Sequence, residues 1–275
     1  MSPRFFHIYR NTPLGRENLL QSLYFCKMLK CDPIVYIPQF TKFLIYFDRE
    51  AVQVDLDRSY LSFPESAKSN ASMIIEEAGF KPEFFIPEEK TATNLPDVTK
   101  DFDYMCCPRT ISEYYSKIGL GHIGMKVRKI VNSASFPVLI PGAVFKPWNS
   151  VTVFFGGSAN SLNALRLGLT MSLNSGKDLR VVTFQEKDKS KDYYRQILED
   201  KGLLTIGSQK FSSWDFYPEE LLEQSLFNIA HDSILVLGAY GHGIIKEVIF
   251  GSVMEKIQSI MPNNMLIAGP NYFMS

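Results

Sequence analysis

The chain has 275 residues, 45% of them hydrophobic, and its 29 basic side chains balance 29 acidic ones. That length lies near the size at which single cores divide, and the apolar content is ample for two. The first 148 residues carry 18 basic against 16 acidic side chains and the remainder 11 against 13, so neither part has the basic excess of a duplex nucleic-acid binder. No segment approaches the roughly 20 apolar residues that span a bilayer. The opening Met1-Ser2-Pro3-Arg4-Phe5-Phe6 lacks the apolar core of a signal peptide, so no membrane partner and a cytoplasmic location are expected.

Taken in chain order, residues 5–9 read as a strand, 18–29 as a helix and 34–37 as a second strand. A helix over 67–78 ends at Gly79, a third strand is expected over 83–86 and a fourth over 103–107. A helix opens at Gly124, and 136–140 is a last strand. The stretch 142–149, interrupted by Pro147, is the expected boundary between a unit over 1–146 and another over 147–275. The second unit begins with a strand over 151–155 and the loop Gly156-Gly157-Ser158. It continues with a strand over 179–184, a helix over 193–202, and strands over 234–237 and 263–267.

The two units repeat each other. At an offset of 127 residues Gly124 falls on Gly251, Lys129 on Lys256, Ile130 on Ile257, Leu139 on Leu266 and Ile140 on Ile267. Two copies of one plan explain such a match better than one large domain.

The residues most suggestive of chemistry lie between 232 and 253. After the apolar run 234–237, Gly238 and Gly241 open a loop in which backbone N–H groups can approach an anion without Cβ interference. Gly251-Ser252 then begins an amphipathic helix whose N-terminal donors favour phosphate. This spacing, Gly-x-x-Gly, nine residues, Gly-Ser, resembles the ATP-binding signature of the universal stress protein family, and the resemblance extends over the C-terminal half from about residue 149.

The resemblance implies two tandem, doubly wound, mostly parallel five-stranded α/β sheets of the Rossmann-like, adenine nucleotide alpha hydrolase-like class. It implies ATP or another adenine nucleotide as ligand, with contacts at Phe184, Leu237, Gly238, Gly241, Gly251, Ser252 and Val253, and no metal required by the sequence. His242, inside the loop, could donate to a phosphate, although an exposed loop accepts polar residues freely. One contact departs from the pattern: Gly156 stands where nucleotide-binding members carry an aspartate. Losing such a charge-assisted hydrogen bond costs about 1.5–3 kcal/mol, or roughly ten- to a hundredfold in affinity. The N-terminal half departs further, with Pro108 where a glycine should stand and Met125 in place of the serine, so it is expected to bind no nucleotide.

Members of the family commonly pair through their last strands, which implies an antiparallel join of 136–140 with 263–267 inside this chain, besides self-association or a protein partner. No nucleophile–base pair, metal cluster or paired carboxylate can be assembled from the sequence, so at most weak ATP hydrolysis is expected. Cys26, Cys31, Cys106 and Cys107 read as packing thiols, the last two pointing to opposite faces of a strand. Two alternatives have a basis in the residues. The run Phe155-Gly-Gly-Ser-Ala-Asn-Ser161 resembles the pyrophosphate loop of ATP-dependent amidotransferases and adenylating ligases, but Phe155 and Ala159 replace its serine and aspartate. A ligand-free protein-interaction module is the other.

Overall fold

A computed structural model describes residues 2–88, 95–98, 101–109, 111, 123–205, 210–239 and 261–273. The expected mostly parallel, doubly wound α/β architecture is present. Among the described residues nine strands form one continuous sheet, in the order β10 (Phe211–Pro218), β9 (Asp178–Gln185), β8 (Ser150–Phe154), β11 (Ser233–Gly238), β12 (Met265–Ala268), β7 (Val138–Ile140), β6 (Tyr104–Cys106), β1 (Arg4–Ile8), β2 (Asp32–Tyr36). Every neighbouring pair is parallel except β12 with β7, which runs antiparallel with Met265 opposite Ile140 and Ile267 opposite Val138.

The sheet therefore reads outward from that join in the same order on both sides: last strand, fourth, first, second. On the C-terminal side β10 follows as a third. On the N-terminal side the expected strand over 83–86 is reduced to a single bridge, Val35 with Phe84, fixed by Val35 N–H to Glu83 O and Phe85 N–H to Val35 O, each 2.9 Å. Two further stretches carry strand signals of their own. One is β10. The other is a hairpin of β3 (Lys42–Tyr46) and β4 (Ala51–Asp55), which with β5 (Asp97–Val98) makes a separate three-stranded sheet.

Helix positions follow from caps. Thr12 caps α1 (Pro13–Leu29), its hydroxyl accepting from Gly15 N–H at 3.1 Å, and the left-handed Lys30 (φ 57°) ends it. Ser158 caps α4 (Ala159–Ser175) through Ser161 N–H at 3.2 Å, and the left-handed Gly176 (φ 66°) ends it. Both helices have 17 residues. Thr12 and Ser158, Lys30 and Gly176, Asp32 and Asp178 all stand 146 residues apart. α2 (Pro64–Glu77), α3 (Met125–Ser133), α5 (Lys191–Asp200) and a short α6 (Leu222–Leu226) complete the set.

Strand alternation sends two sets of side chains to the two faces of the sheet. Phe5, Cys106, Leu139, Val151, Val153, Val236 and Leu266 pack with α1, α4 and α5, whereas Phe6, Ile8, Met105, Val138, Leu235, Leu237 and Ile267 pack with α3, α6 and the three-stranded sheet. Each core runs across the join, where all residues of β7 and β12 are buried. Burying each of these Val, Leu and Ile side chains contributes about 1.5–3 kcal/mol. Cys106 and Cys107 fall in opposite cores, and all four cysteines are free and buried. Among the described residues no helix is long and apolar enough to cross a membrane.

Candidate functional site

In a sheet of this kind ligands sit at the carboxyl ends of the strands, where the strand order reverses. On the C-terminal side that point lies between β8 and β11. The structure brings four of the residues selected from sequence to this rim. Gly156 is half-buried, just beyond β8. Phe184 closes the rim at β9, its ring stacked on Phe154 with centroids 5.9 Å apart and tilted against Tyr217 at 6.1 Å. Leu237 and Gly238 end β11, Leu237 buried in the same core as Phe154 and Phe184. Gly241, His242, Gly251, Ser252 and Val253 lie outside the described residues.

Gly238 has a structural reason of its own. A Cβ there would lie 2.3 Å from Asn160 O and 2.7 Å from Ser161 N, because the end of β11 presses against the first turn of α4. Asn160 fastens that contact by donating its side-chain N–H to Ala239 O. Sequence reasoning passed over Asn160, and only its place in the first turn of the helix capped by Ser158 could have drawn attention to it. Gly238 is thus required by packing whether or not an anion meets its N–H.

The exit from β8 is held equally firmly. Phe155 N–H donates to Val182 O at 2.9 Å, Thr183 Oγ1 donates to Phe155 O at 2.8 Å, and Trp214 Nε1–H donates to Thr183 Oγ1 at 2.9 Å. Gly157 then turns through φ 78° against Ile197 and Tyr194, and delivers the chain to Ser158. The result is a glycine pair without side chains, followed by the N-terminus of a 17-residue helix with no acidic residue in its first turn. That end carries partial positive charge and N–H donors directed along the axis. Beside it Glu186 and Lys189 pair at 2.7 Å, and the Lys189 ammonium lies 5.1 Å from the Tyr193 ring centroid.

No protein-family model matches the chain. Universal stress protein Slr1230 of Synechocystis sp. is 23% identical over 170 residues, a match that covers 59% of this chain and 56% of that protein, so the match spans little more than half of that relative's length. Among solved structures, a universal stress protein from Archaeoglobus fulgidus superposes with a TM-score of 0.62 at 15% identity, covering 98% of this chain and 99% of that one. The cytoplasmic domain of a prokaryotic cation chloride cotransporter superposes with a TM-score of 0.52 at 12% identity, over 97% and 95% of the two chains. The architecture is a Rossmann-like α/β fold shared with universal stress proteins, and the chain is similar to them in sequence as well as in fold.

Proposed function

We propose that this chain is a tandem universal stress protein, with one unit over 1–146 and another over 147–275, whose C-terminal unit binds an adenine nucleotide as a regulatory ligand. The tandem reading is supported by two consistent offsets. β1, α1 with both caps, and the start of β2 stand 146 residues from β8, α4 with its caps, and the start of β9, while the starts of the last strands β7 and β12 stand 127 apart. The difference of 19 residues is absorbed by the extra hairpin β3–β4 and the turn after it. The last strands also exchange equivalent contacts. A Cβ at Gly142 would lie 2.6 Å from Pro262 O and one at Gly269 2.1 Å from Val131 O, two glycines 127 residues apart, each pressed on the other unit.

The observation that carries the nucleotide reading is the convergence of Gly156-Gly157-Ser158, Phe184 and Leu237-Gly238 at the switch point between β8 and β11. Phe184 and Leu237 supply an apolar wall for a base, and the head of α4 together with the Gly241 and Gly251-Ser252 motif supplies donors for phosphate. The N-terminal unit keeps the fold and not the ligand. A cytoplasmic, reducing setting fits four buried free thiols.

A ligand-free protein-interaction module is the second reading, favoured by Gly156 in place of the aspartate. ATP titration separates the two. Binding that Gly251→Val nearly abolishes and Ser252→Ala weakens by about 0.5–1.5 kcal/mol supports the nucleotide site. Binding unaffected by both substitutions refutes the assignment, and absence of binding favours the second reading.

A further inference from the structure

The same rim is built differently in the N-terminal unit. The loop after β1 is Arg10-Asn11-Thr12, standing 146 residues from Gly156-Gly157-Ser158. Where the C-terminal unit has two residues without side chains, this one has a cation and an amide, and both engage the segment that leaves the three-stranded sheet. Arg10 Nη2 lies 3.4 Å from Asp57 Oδ1, and its guanidinium stands 5.3 Å from the Tyr60 ring centroid. Asn11 donates to Ser66 Oγ at 3.1 Å and to Phe63 O at 3.4 Å, while its Oδ1 accepts from Asn70 at 3.2 Å. Phe63, at the head of α2, is held in the left-handed region (φ 54°), a conformation a phenylalanine adopts only when its surroundings impose it.

Asp57 is the centre of this arrangement. It is 7% exposed. Its Oδ1 accepts from Ser59 N–H at 2.8 Å and from the Ser59 hydroxyl, in addition to Arg10. Its own N–H points to Ile111 O at 3.4 Å, just beyond β6. The carboxylate therefore lies between the exits of β1 and β6, the switch point of the N-terminal unit. Guanidinium, backbone N–H and hydroxyl around one oxygen make up a donor set that suits an oxyanion. Arg10 Nε is buried with no hydrogen-bond partner among the described residues, so the donor set exceeds what one carboxylate uses.

We propose that Asp57 is a tethered anion, filling from within the chain the oxyanion position at the N-terminal switch point, so that this unit holds its closed arrangement without a ligand and accepts a free oxyanion only when Asp57 is removed. The equivalence of the two rims rests on the tandem reading; the contact between Arg10 and Asp57 does not. Removing the carboxylate leaves Arg10 without its counter-ion in a half-buried site, and inorganic phosphate supplies the missing charge and acceptors.

The test compares melting temperatures of the full chain, Asp57→Ala and Asp57→Ser in sodium chloride and in sodium phosphate of matched ionic strength. Asp57→Ala is expected to lose about 5 °C in chloride, with phosphate restoring half or more of the loss in a saturable way, and with no such recovery once Arg10→Met is added. Asp57→Ser, which also vacates the position but leaves a hydroxyl beside Ser59, gives the same recovery should the alanine variant not fold. Equal phosphate shifts in the parent and both variants, no loss in either, or recovery that persists without Arg10 would overturn the proposal. ATP binding measured on the same samples reports on the C-terminal unit separately, so its absence counts against the nucleotide reading and not against the tethered anion.

Discussion

His7 shows how a single side chain ties sequence to stability. It lies on β1, 2% exposed, with Nδ1 2.9 Å from Ser22 Oγ and Nε2 without a hydrogen-bond partner among the described residues. Burial pushes its pKa down from 6.5 to about 3. The folded protein therefore holds His7 neutral while the unfolded chain takes up a proton below pH 6.5, and the stability His7 contributes above that pH is lost as the pH falls toward 3. Chemical denaturation at pH 7.5 and pH 5 should show a loss of about 2 kcal/mol from this residue. His7→Val, which installs the residue found at the equivalent Val153, should remove that increment from the pH dependence. An unchanged slope in the variant would mean that the folded state protonates His7 after all. Sequence alone placed this histidine on a strand, but its burial depends on α1 packing over it, which no local pattern reveals.

Among the elements, α1 and α4 are the pair whose likeness was hardest to see in advance. Periodicity started α1 at residue 18, five residues late, because Pro13, Gly15 and Asn18 do not read as an apolar stripe. The stronger signal was Thr12-Pro13, a capping hydroxyl followed by a proline at the first helical position. Thr12→Ala and Ser158→Ala should each cost about 1 kcal/mol, and the double variant about the sum, since the caps serve different helices. A marked departure from additivity in denaturant titration would show that the two helix heads are coupled. The hairpin β3–β4 was legible as well, in the alternation of Phe43 with Ile45 and Val52 with Val54. Over 83–86 apolar Phe84, Phe85 and Ile86 read as a third N-terminal strand, yet the chain makes one bridge there and leaves Ile86 exposed. The rim residues Phe184, Gly156, Leu237 and Gly238 were identifiable from spacing and resemblance. The partner that makes Gly238 indispensable, Asn160, was not, because its role is a contact between segments 78 residues apart.

At the scale of the whole molecule, the antiparallel join of β12 with β7 makes one continuous sheet with a core on each face shared across it. Splitting the chain at residue 146 would expose the hydrogen-bonding edge of β7, and would strip Phe5, Cys106 and Leu139 from a core they share with Val151, Val236 and Leu266. The fragment over 1–146 should therefore aggregate or pair with itself, and mixing it with 147–275 should restore a native circular dichroism spectrum. A stable, monomeric 1–146 fragment with a cooperative melt would show instead that the shared core contributes little. The linker adds to the join: Gln21 of α1 donates to Val144 O at 2.8 Å and accepts from Asn264, which in turn takes Gly142 N–H at 2.7 Å. Within this frame the proposed asymmetry leaves one unit open to a nucleotide and the other closed. Calorimetric titration of ATP into the parent chain and into Gly156→Asp tests it most directly. One site per chain is expected in both, tightened by up to roughly a hundredfold in the variant as the restored carboxylate meets the nucleoside. Two sites per chain, or no heat of binding in either folded protein, would contradict it.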